Sequence, residues 1–371
     1  MLDIILFIYS ALEFTHYQKQ CRVYNYFNEL YIKPNVTERE TDAFIDALLT
    51  ADTDFFDRAQ VSSISNHITN RKQLSDAVVS TQKELTLAPP DKIQAGHSQL
   101  YWSYTPFLMD TLMKQLRILS EQYMLWNGYK RKTYSTDDGY YNVFTYENNA
   151  STKRPLIFFP GLGFGAIPYV HVAKLFNRTV HAIEVPNFSY ATLKTNTHAT
   201  GHGISDIVKR CICDQEHDVV GHSFGSFHAS IYLNASYTLQ KIQNVYICEG
   251  FTNPVDIIVN HIIPFVNNTH FNTLPVVRYS YGKFIFFLKL FANNIFVHSF
   301  CKRFICPINT NWRDYGKIKI KYIYSENDEL IDSNYIMRKM KPEQYYCIPN
   351  GKHGSCFFGK RRKELIQTLF E

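Results

Sequence analysis

Gly221-His222-Ser223-Phe224-Gly225 is the stretch of this chain best suited to chemistry. A short apolar run from Asp218 leads into it, and a helical-looking segment, His228 to Leu233, follows at once. A serine at such a strand–turn–helix junction sits in a strained backbone. The residues two before and two after it must then be nearly free of side chain, which Gly221 and Gly225 are. The hydroxyl would project above the sheet, with the Phe224 N–H aimed at a developing oxyanion. A serine hydroxyl also needs a general base, usually histidine, and a carboxylate to orient that base. Asp328 and His353 follow in that order, the first in Glu326-Asn327-Asp328-Glu329-Leu330-Ile331 and the second in Gly351-Lys352-His353-Gly354. Taken alone, G-x-S-x-G is a pattern that chance supplies, and its bland reading is a turn that packs a helix on a sheet. The later Asp and His, each at an expected strand end, weigh against that reading.

The elements that must position these residues alternate from about residue 130 onward. Strands are expected at Tyr140–Tyr146, Pro155–Phe159, Val180–Val185, the run from Asp218, Asn244–Cys248, Ile318–Tyr324 and Glu343–Ile348. Helices are expected at Tyr169–Phe176, Gly203–Cys213, His228–Leu233 and Lys360–Phe370. Strand and helix in alternation predict an α/β protein with a doubly wound, mostly parallel sheet. Adjacent parallel strands would bring the loops holding Ser223, Asp328 and His353 to one carboxyl edge, where open α/β sheets bind ligands.

Two stretches fall outside the alternation. Residues 1–130 read as a helical N-terminal extension, with a capped helix opening at Thr37 and a long amphipathic stretch from Leu100 to Leu125. Phe251 to Arg313 is divided by Pro254, Pro264 and Pro275 and is dense in aromatics. It reads as inserted helices: a cap whose apolar face either packs as core or lines an acyl pocket. The expected organisation is thus 1–130 extension and 131–371 main domain, with the cap at about 251–313.

Several residues compete for roles. Glu249 and Asp256 follow an earlier strand and are rival acids to Asp328. Glu326, Glu329 and Asp332 fit the strand end less well, and His222, beside the serine, reads as a residue that either packs or supports the groups around the serine. Gly161-Leu162-Gly163-Phe164-Gly165, with Glu184 downstream, also invites a dinucleotide-fingerprint reading. Its place before the serine turn suits an oxyanion loop better. His198 and His202 stand at helical spacing, but Gly201 and Gly203 argue against a metal-binding helix. The eight cysteines form no Cys-x-x-Cys pair and no tight Cys/His cluster, so no metal is expected, and with the dinucleotide reading set aside no cofactor is expected either.

Composition bounds the rest. The chain has 371 residues, 45% of them apolar, which suffices for a large core and excludes wholesale disorder. A net charge of +6 over this length is too weak to imply nucleic acid. Lys360-Arg361-Arg362-Lys363 is the one dense basic run and reads as a solvated helix face. Met1 to Phe14 is apolar but broken by Asp3 and Glu13, short for a span, and without a basic leader or cleavage site. It reads as a buried or membrane-surface helix; an intracellular setting is favoured, with peripheral membrane contact through this segment and a signal anchor as the minority reading.

From about residue 131 the chain resembles the α/β-hydrolase superfamily in its lipase/esterase branch. The resemblance rests on the Phe159-Pro160-Gly161-Leu162-Gly163 loop, the Gly221 to Gly225 elbow, Asp328 and His353. It implies nucleophile Ser223, acid Asp328, base His353 and an oxyanion hole from the N–H groups of Leu162 and Phe224. It further implies cleavage of carboxylic esters, small-molecule or lipid, through an acyl-serine, with lipid metabolism as the setting. Pro160 departs from the family, where many members carry His before the Gly; this leaves Leu162 and Gly163 as alternatives for the second N–H. The reading from a different class is a non-catalytic protein of the same fold that binds an apolar ligand or a partner. Residues 1–130 lie outside the resemblance.

Overall fold

The computed structural model describes residues 9–15, 17–22, 107–137, 139–162, 165–185, 201–213, 215–235, 239–250, 318–328, 333, 337 and 340–370. The expected helix opening at Thr37 and the cap at 251–313 lie outside the described residues. The chain forms two compact units. One comprises residues 1–119, 193–196 and 265–306; the other comprises 120–192, 197–264 and 307–371.

In the first unit, residues 9–15 and 17–22 are helical. The Glu13 carboxylate accepts the Phe107 N–H at 3.2 Å. That N–H opens helix α1 (Phe107–Trp126) and has no partner within the helix itself, so a carboxylate there suits both the orphan donor and the helix dipole. Among the described residues no helix is long and apolar enough to cross a membrane.

The second unit is built on one eight-stranded sheet. Its strands are β1 (Tyr129–Thr136), β2 (Gly139–Tyr146), β3 (Leu156–Phe159), β4 (Val180–Glu184), β5 (His217–His222), β6 (Ile242–Cys248), β7 (Lys319–Ser325) and β8 (Tyr345–Ile348). Their order is β1-β2-β4-β3-β5-β6-β7-β8. β1 pairs β2, and β2 pairs β4, antiparallel; every other pairing is parallel. Leu-Ile-Phe-Phe in β3 and all six residues of β5 are buried on both faces, as parallel central strands require. β1 is different: Tyr-Lys-Arg-Lys-Thr-Tyr-Ser-Thr exposes most of its length, and its charges suit a sheet edge. This strand has no counterpart among the expected elements.

Helices α2 (Gly201–Ile212), α3 (Gly225–Ala235), α4 (Ser355–Phe358) and α5 (Arg362–Leu369) complete the unit. The single helix expected over Tyr169–Phe176 is two short 3-10 helices instead, Ile167–Tyr169 and Ala173–Phe176. Pro168 lies within the first of them and lacks a donor to extend it. Asn177, in the left-handed region at φ 48°, ends the second. On one side of the sheet an aromatic core joins these turns to the C-terminus. Phe357 stacks edge-on against Phe158 at 5.6 Å and Tyr169 at 5.8 Å, and Phe370 against Phe176 at 5.1 Å. At the opposite edge of the sheet from the site, buried Arg178 pairs with Asp218 at 2.6 Å and donates to the Phe370 carbonyl. Asp218 also accepts the Asn244 N–H at 3.1 Å, so its carboxylate joins β5 to β6 while Arg178 links it to the Phe370 carbonyl.

The strand order reverses between β3 and β5. The chain winds from β3 to β4 in one direction and from β5 through β6, β7 and β8 in the other. Loops leaving β3 and β5 therefore diverge and open a crevice at the carboxyl edge. That crevice holds the site.

Candidate active site

Ser223 follows β5 directly, at φ 52°. This left-handed conformation costs a residue with a Cβ about 1–2 kcal/mol, and the surroundings must hold it there. They do so by three bonds. The Ser223 N–H donates to the Cys248 carbonyl at 2.9 Å, and its carbonyl accepts the Ser226 N–H at 3.0 Å and the Ser226 hydroxyl at 2.7 Å. The flanking glycines permit the close packing. A Cβ on Gly225 would lie 2.0 Å from the Phe159 carbonyl oxygen, and one on Gly221 2.7 Å from Ser226 Cα. The strain expected of this turn is thus present, and α3 begins at once behind it.

His353 lies in the loop between β8 and α4. Its Nε2 is 3.0 Å from Ser223 Oγ. Its Nδ1 is 2.8 and 3.0 Å from the two carboxylate oxygens of Asp328, whose side chain is fully buried. Asp328 follows β7, and its N–H donates to the Ser325 carbonyl at 3.3 Å. Its neighbour Asn327 donates its N–H to the Gly351 carbonyl at 2.8 Å, which ties this loop to the one carrying His353. The expected serine, histidine and aspartate thus meet in hydrogen-bonding distance from three strand ends. With Nδ1–H donated to Asp328, Nε2 presents a lone pair to the serine hydroxyl.

The rival acids are placed elsewhere. Glu249 accepts the Gly354 N–H, one residue beyond His353, and lies 3.1 Å from His222 Nε2. Glu326 accepts the Asn350 N–H at 2.7 Å. Asp256, Glu329 and Asp332 lie outside the described residues. Glu184 has no ligand role to spare: fully inside the protein, it accepts the Ala166 N–H at 2.8 Å and pins the glycine-rich loop from below. Of that loop, Leu162 is half-buried just past β3, while Gly163 and Phe164 lie outside the described residues. Phe224, directly after the serine, is also half-buried.

Of the two roles expected for His222, the structure shows hydrogen bonds that fit support of its neighbours. Its Nδ1 is 2.6 Å from the Tyr169 hydroxyl, which accepts the Gly161 N–H at 3.2 Å. Burial lowers the pKa of His222, against the pull of the Glu249 carboxylate, and favours the neutral ring. Burial would raise the Glu249 carboxyl, but the His222 hydrogen bond, the two neighbouring imidazoles and the Ser325 hydroxyl together hold it below its ordinary range. Glu249 could be recognised in the sequence only as a rival acid, and Tyr169 carried no signal at all.

His222, Glu249 and His353 also offer three donor atoms within 4.8 Å of one another, the kind of grouping that can hold a metal. Each imidazole nitrogen already faces a protein partner: Tyr169 and Glu249 for His222, Asp328 and Ser223 for His353. The donor set is better described as a hydrogen-bond network. Six described cysteines are free thiols, among them buried Cys248 and Cys356.

No protein-family model and no curated protein matches the sequence. Solved structures resemble it at low identity. A serine hydrolase from the polyaromatic-hydrocarbon-degrading bacterium Cycloclasticus zankles is 13% identical, over 65% of this chain and 96% of that one, with a TM-score of 0.47. A thermophilic esterase from Thermogutta terrifontis is 12% identical, over 64% and 97%, with a TM-score of 0.41. A membrane phospholipase A is 12% identical, over 71% and 90%, with a TM-score of 0.46. The architecture stands on the chain's own geometry: the strand order with its antiparallel second strand, the strained serine turn after β5, and strand-end loops that converge beside it give this chain the α/β-hydrolase fold.

Proposed function

We propose that this protein is a serine hydrolase that cleaves carboxylic esters through an acyl-serine intermediate. One observation carries the reading: His353 spans Ser223 Oγ at 3.0 Å and the buried Asp328 carboxylate at 2.8 Å, with the serine held at a positive φ. That is the geometry a general base needs to take a proton from a nucleophile while a carboxylate keeps its tautomer.

In the proposed reaction Ser223 Oγ attacks the ester carbonyl carbon as His353 Nε2 takes the hydroxyl proton. The carbonyl π electrons move to oxygen, and the N–H groups of Phe224 and Leu162 are the proposed donors to that oxyanion. Collapse of the intermediate breaks the bond to the alcohol oxygen, which leaves with the proton from His353. Water then repeats the sequence on the acyl-serine, giving up a proton to His353 and releasing the acid and the free serine. Asp328 stabilises the imidazolium in both halves. The acyl chain is proposed to be apolar, on the aromatic content of the 251–313 insert, and the N-terminal segment is proposed as a peripheral membrane contact.

Labelling with a serine-directed fluorophosphonate tests the reading. Modification of the parent protein that disappears in Ser223→Ala is expected. A well-folded parent that takes up no probe would refute the hydrolase reading and leave the non-catalytic binding protein. Hydrolysis of p-nitrophenyl esters of increasing acyl length then tests the apolar-chain proposal; activity confined to the shortest chains would remove it.

A further inference from the structure

A line of buried polar groups runs beside the proposed triad and takes part in none of its steps. It begins at the Gly161 N–H, which donates to Tyr169 Oη at 3.2 Å. The tyrosine proton must then go to His222 Nδ1, 2.6 Å away. With Nδ1 accepting, the ring carries its proton on Nε2 and donates it to Glu249 Oε2 at 3.1 Å. The same carboxylate accepts the Gly354 N–H on Oε2 and the Ser325 hydroxyl on Oε1. Glu249 and Ser325 have no exposed surface, and His222 and Tyr169 keep only 4% and 6% of theirs.

The positions of these groups in the chain give the line its meaning. Gly161 immediately precedes Leu162 in the loop proposed to hold the oxyanion. His222 immediately precedes Ser223. Ser325 closes the strand that leads to Asp328, and Gly354 immediately follows His353. Every segment carrying a proposed catalytic group therefore sends one polar atom into a single network centred on Glu249. Glu249 itself sits at φ 48°, unfavourable for a residue with a Cβ, and its N–H is bonded to the Ile323 carbonyl at 2.7 Å. Strain of this kind persists where the surroundings impose it. Asp328, on Nδ1 of His353, already fills the place of the triad acid, so the second carboxylate is spare for another task.

We propose that Glu249 is a positioning residue, holding the oxyanion loop through His222 and Tyr169 and the His353 loop through the Gly354 N–H, while its charge adds to that of Asp328 around His353. The inference rests on the reading of Ser223, His353 and Asp328 as the reacting set. Among the described residues, the charged and titratable groups around His353 include Asp328, Glu249, and His222, whose ring centre is 5.4 Å away. Of these, Glu249 can be neutralised with the Asp328 bonds to His353 Nδ1 left in place. In Glu249→Gln the amide oxygen can still accept from His222 and Gly354, and the amide nitrogen can donate to Ser325 Oγ. Tyr169→Phe is the complementary change: it removes the tie to Gly161 and leaves the charge in place.

The experiment measures the saturable rate of fluorophosphonate labelling at a series of pH values in the full-length protein, with folding checked by thermal melts. Glu249→Gln is expected to move the acid limb of the profile down by about one pH unit, because a nearby anion that favours the protonated imidazole has gone. Its maximal labelling rate is expected to fall roughly tenfold with the half-saturating probe concentration within about twofold. Tyr169→Phe is expected to lower the maximal rate by a similar factor with the acid limb in place. A folded Glu249→Gln protein with the parent's acid limb and maximal rate would overturn the proposal. Should that variant not fold, Tyr169→Phe with an unchanged maximal rate would overturn it alone. Ser223→Ala separates the two levels: labelling that survives it refutes the triad reading, whereas serine-dependent labelling indifferent to Glu249 and Tyr169 refutes only this one.

Discussion

Asp328→Asn separates the role of this carboxylate from that of its neighbour Glu249. Asp328 holds both oxygens within 3.0 Å of His353 Nδ1, and its side chain has no exposed surface. When His353 takes the serine proton, an imidazolium forms against that buried anion. With charge centres about 4 Å apart and an effective dielectric near 20, the attraction is about 4 kcal/mol. Losing it corresponds to roughly a 10³-fold fall in rate. Asparagine adds a second cost, since its amide can donate to Nδ1 and so place the ring proton on Nε2, facing the serine. A fall of about 10³ to 10⁴ in kcat is therefore expected, with KM little changed, because the lost interaction grows only as charge develops. The assay is initial-rate hydrolysis of a p-nitrophenyl ester, paired with the rate of fluorophosphonate labelling. A folded Asp328→Asn protein that keeps more than about a tenth of the parent rate would refute Asp328 as the acid and return that role to Glu249.

Three further outcomes follow from the packing. Gly225→Ala places a Cβ 2.0 Å from the Phe159 carbonyl oxygen, so β3 and the elbow must separate by about an ångström; labelling of Ser223 is expected to fall about 10²-fold or more, and parent-like labelling would contradict the packing. Phe357→Ala empties the centre of the aromatic cluster and should cost about 3–5 kcal/mol in urea unfolding, a loss under about 1 kcal/mol being incompatible with its complete burial. His181 is buried and its pKa is lowered to about 4 by desolvation. Below the ordinary value of 6.5 the unfolded chain takes up a proton that the folded ring resists, so stability is full above that value and falls as pH drops toward 4, by about 3 kcal/mol in all. His181→Leu should flatten part of that slope, and unfolding free energies with the parent's slope between pH 6.5 and 4 would count against it.

Legibility differed with the reach of the physics involved. β3 and β5 could be read because strands buried on both faces are continuous apolar runs. β1 could not, because an edge strand buries few side chains and Tyr-Lys-Arg-Lys carries no apolar alternation to mark it. The turns around Tyr169 showed an apolar content that suits a helix, and Pro168 with Asn177 broke it locally into two pieces. Glu184 resembled a ribose-binding acid by its spacing alone; the fold turned it inward to hold the Ala166 N–H.

Glycine spacing around Ser223, and the order in which Asp328 and His353 follow, were properties of the sequence by itself. They determined that a strained serine turn was available and which residue types could serve it, because backbone strain and acid–base capacity are local. The choice between Asp328 and Glu249 was not local. Both are carboxylates placed just past parallel strands, and only the register of β6, β7 and β8 decided which reached His353 Nδ1 and which reached the N–H beyond it. The line from Gly161 through Tyr169 and His222 to Glu249 belongs to the same level. Its members come from three separate segments of the chain, and burial at one sheet edge is what made them partners.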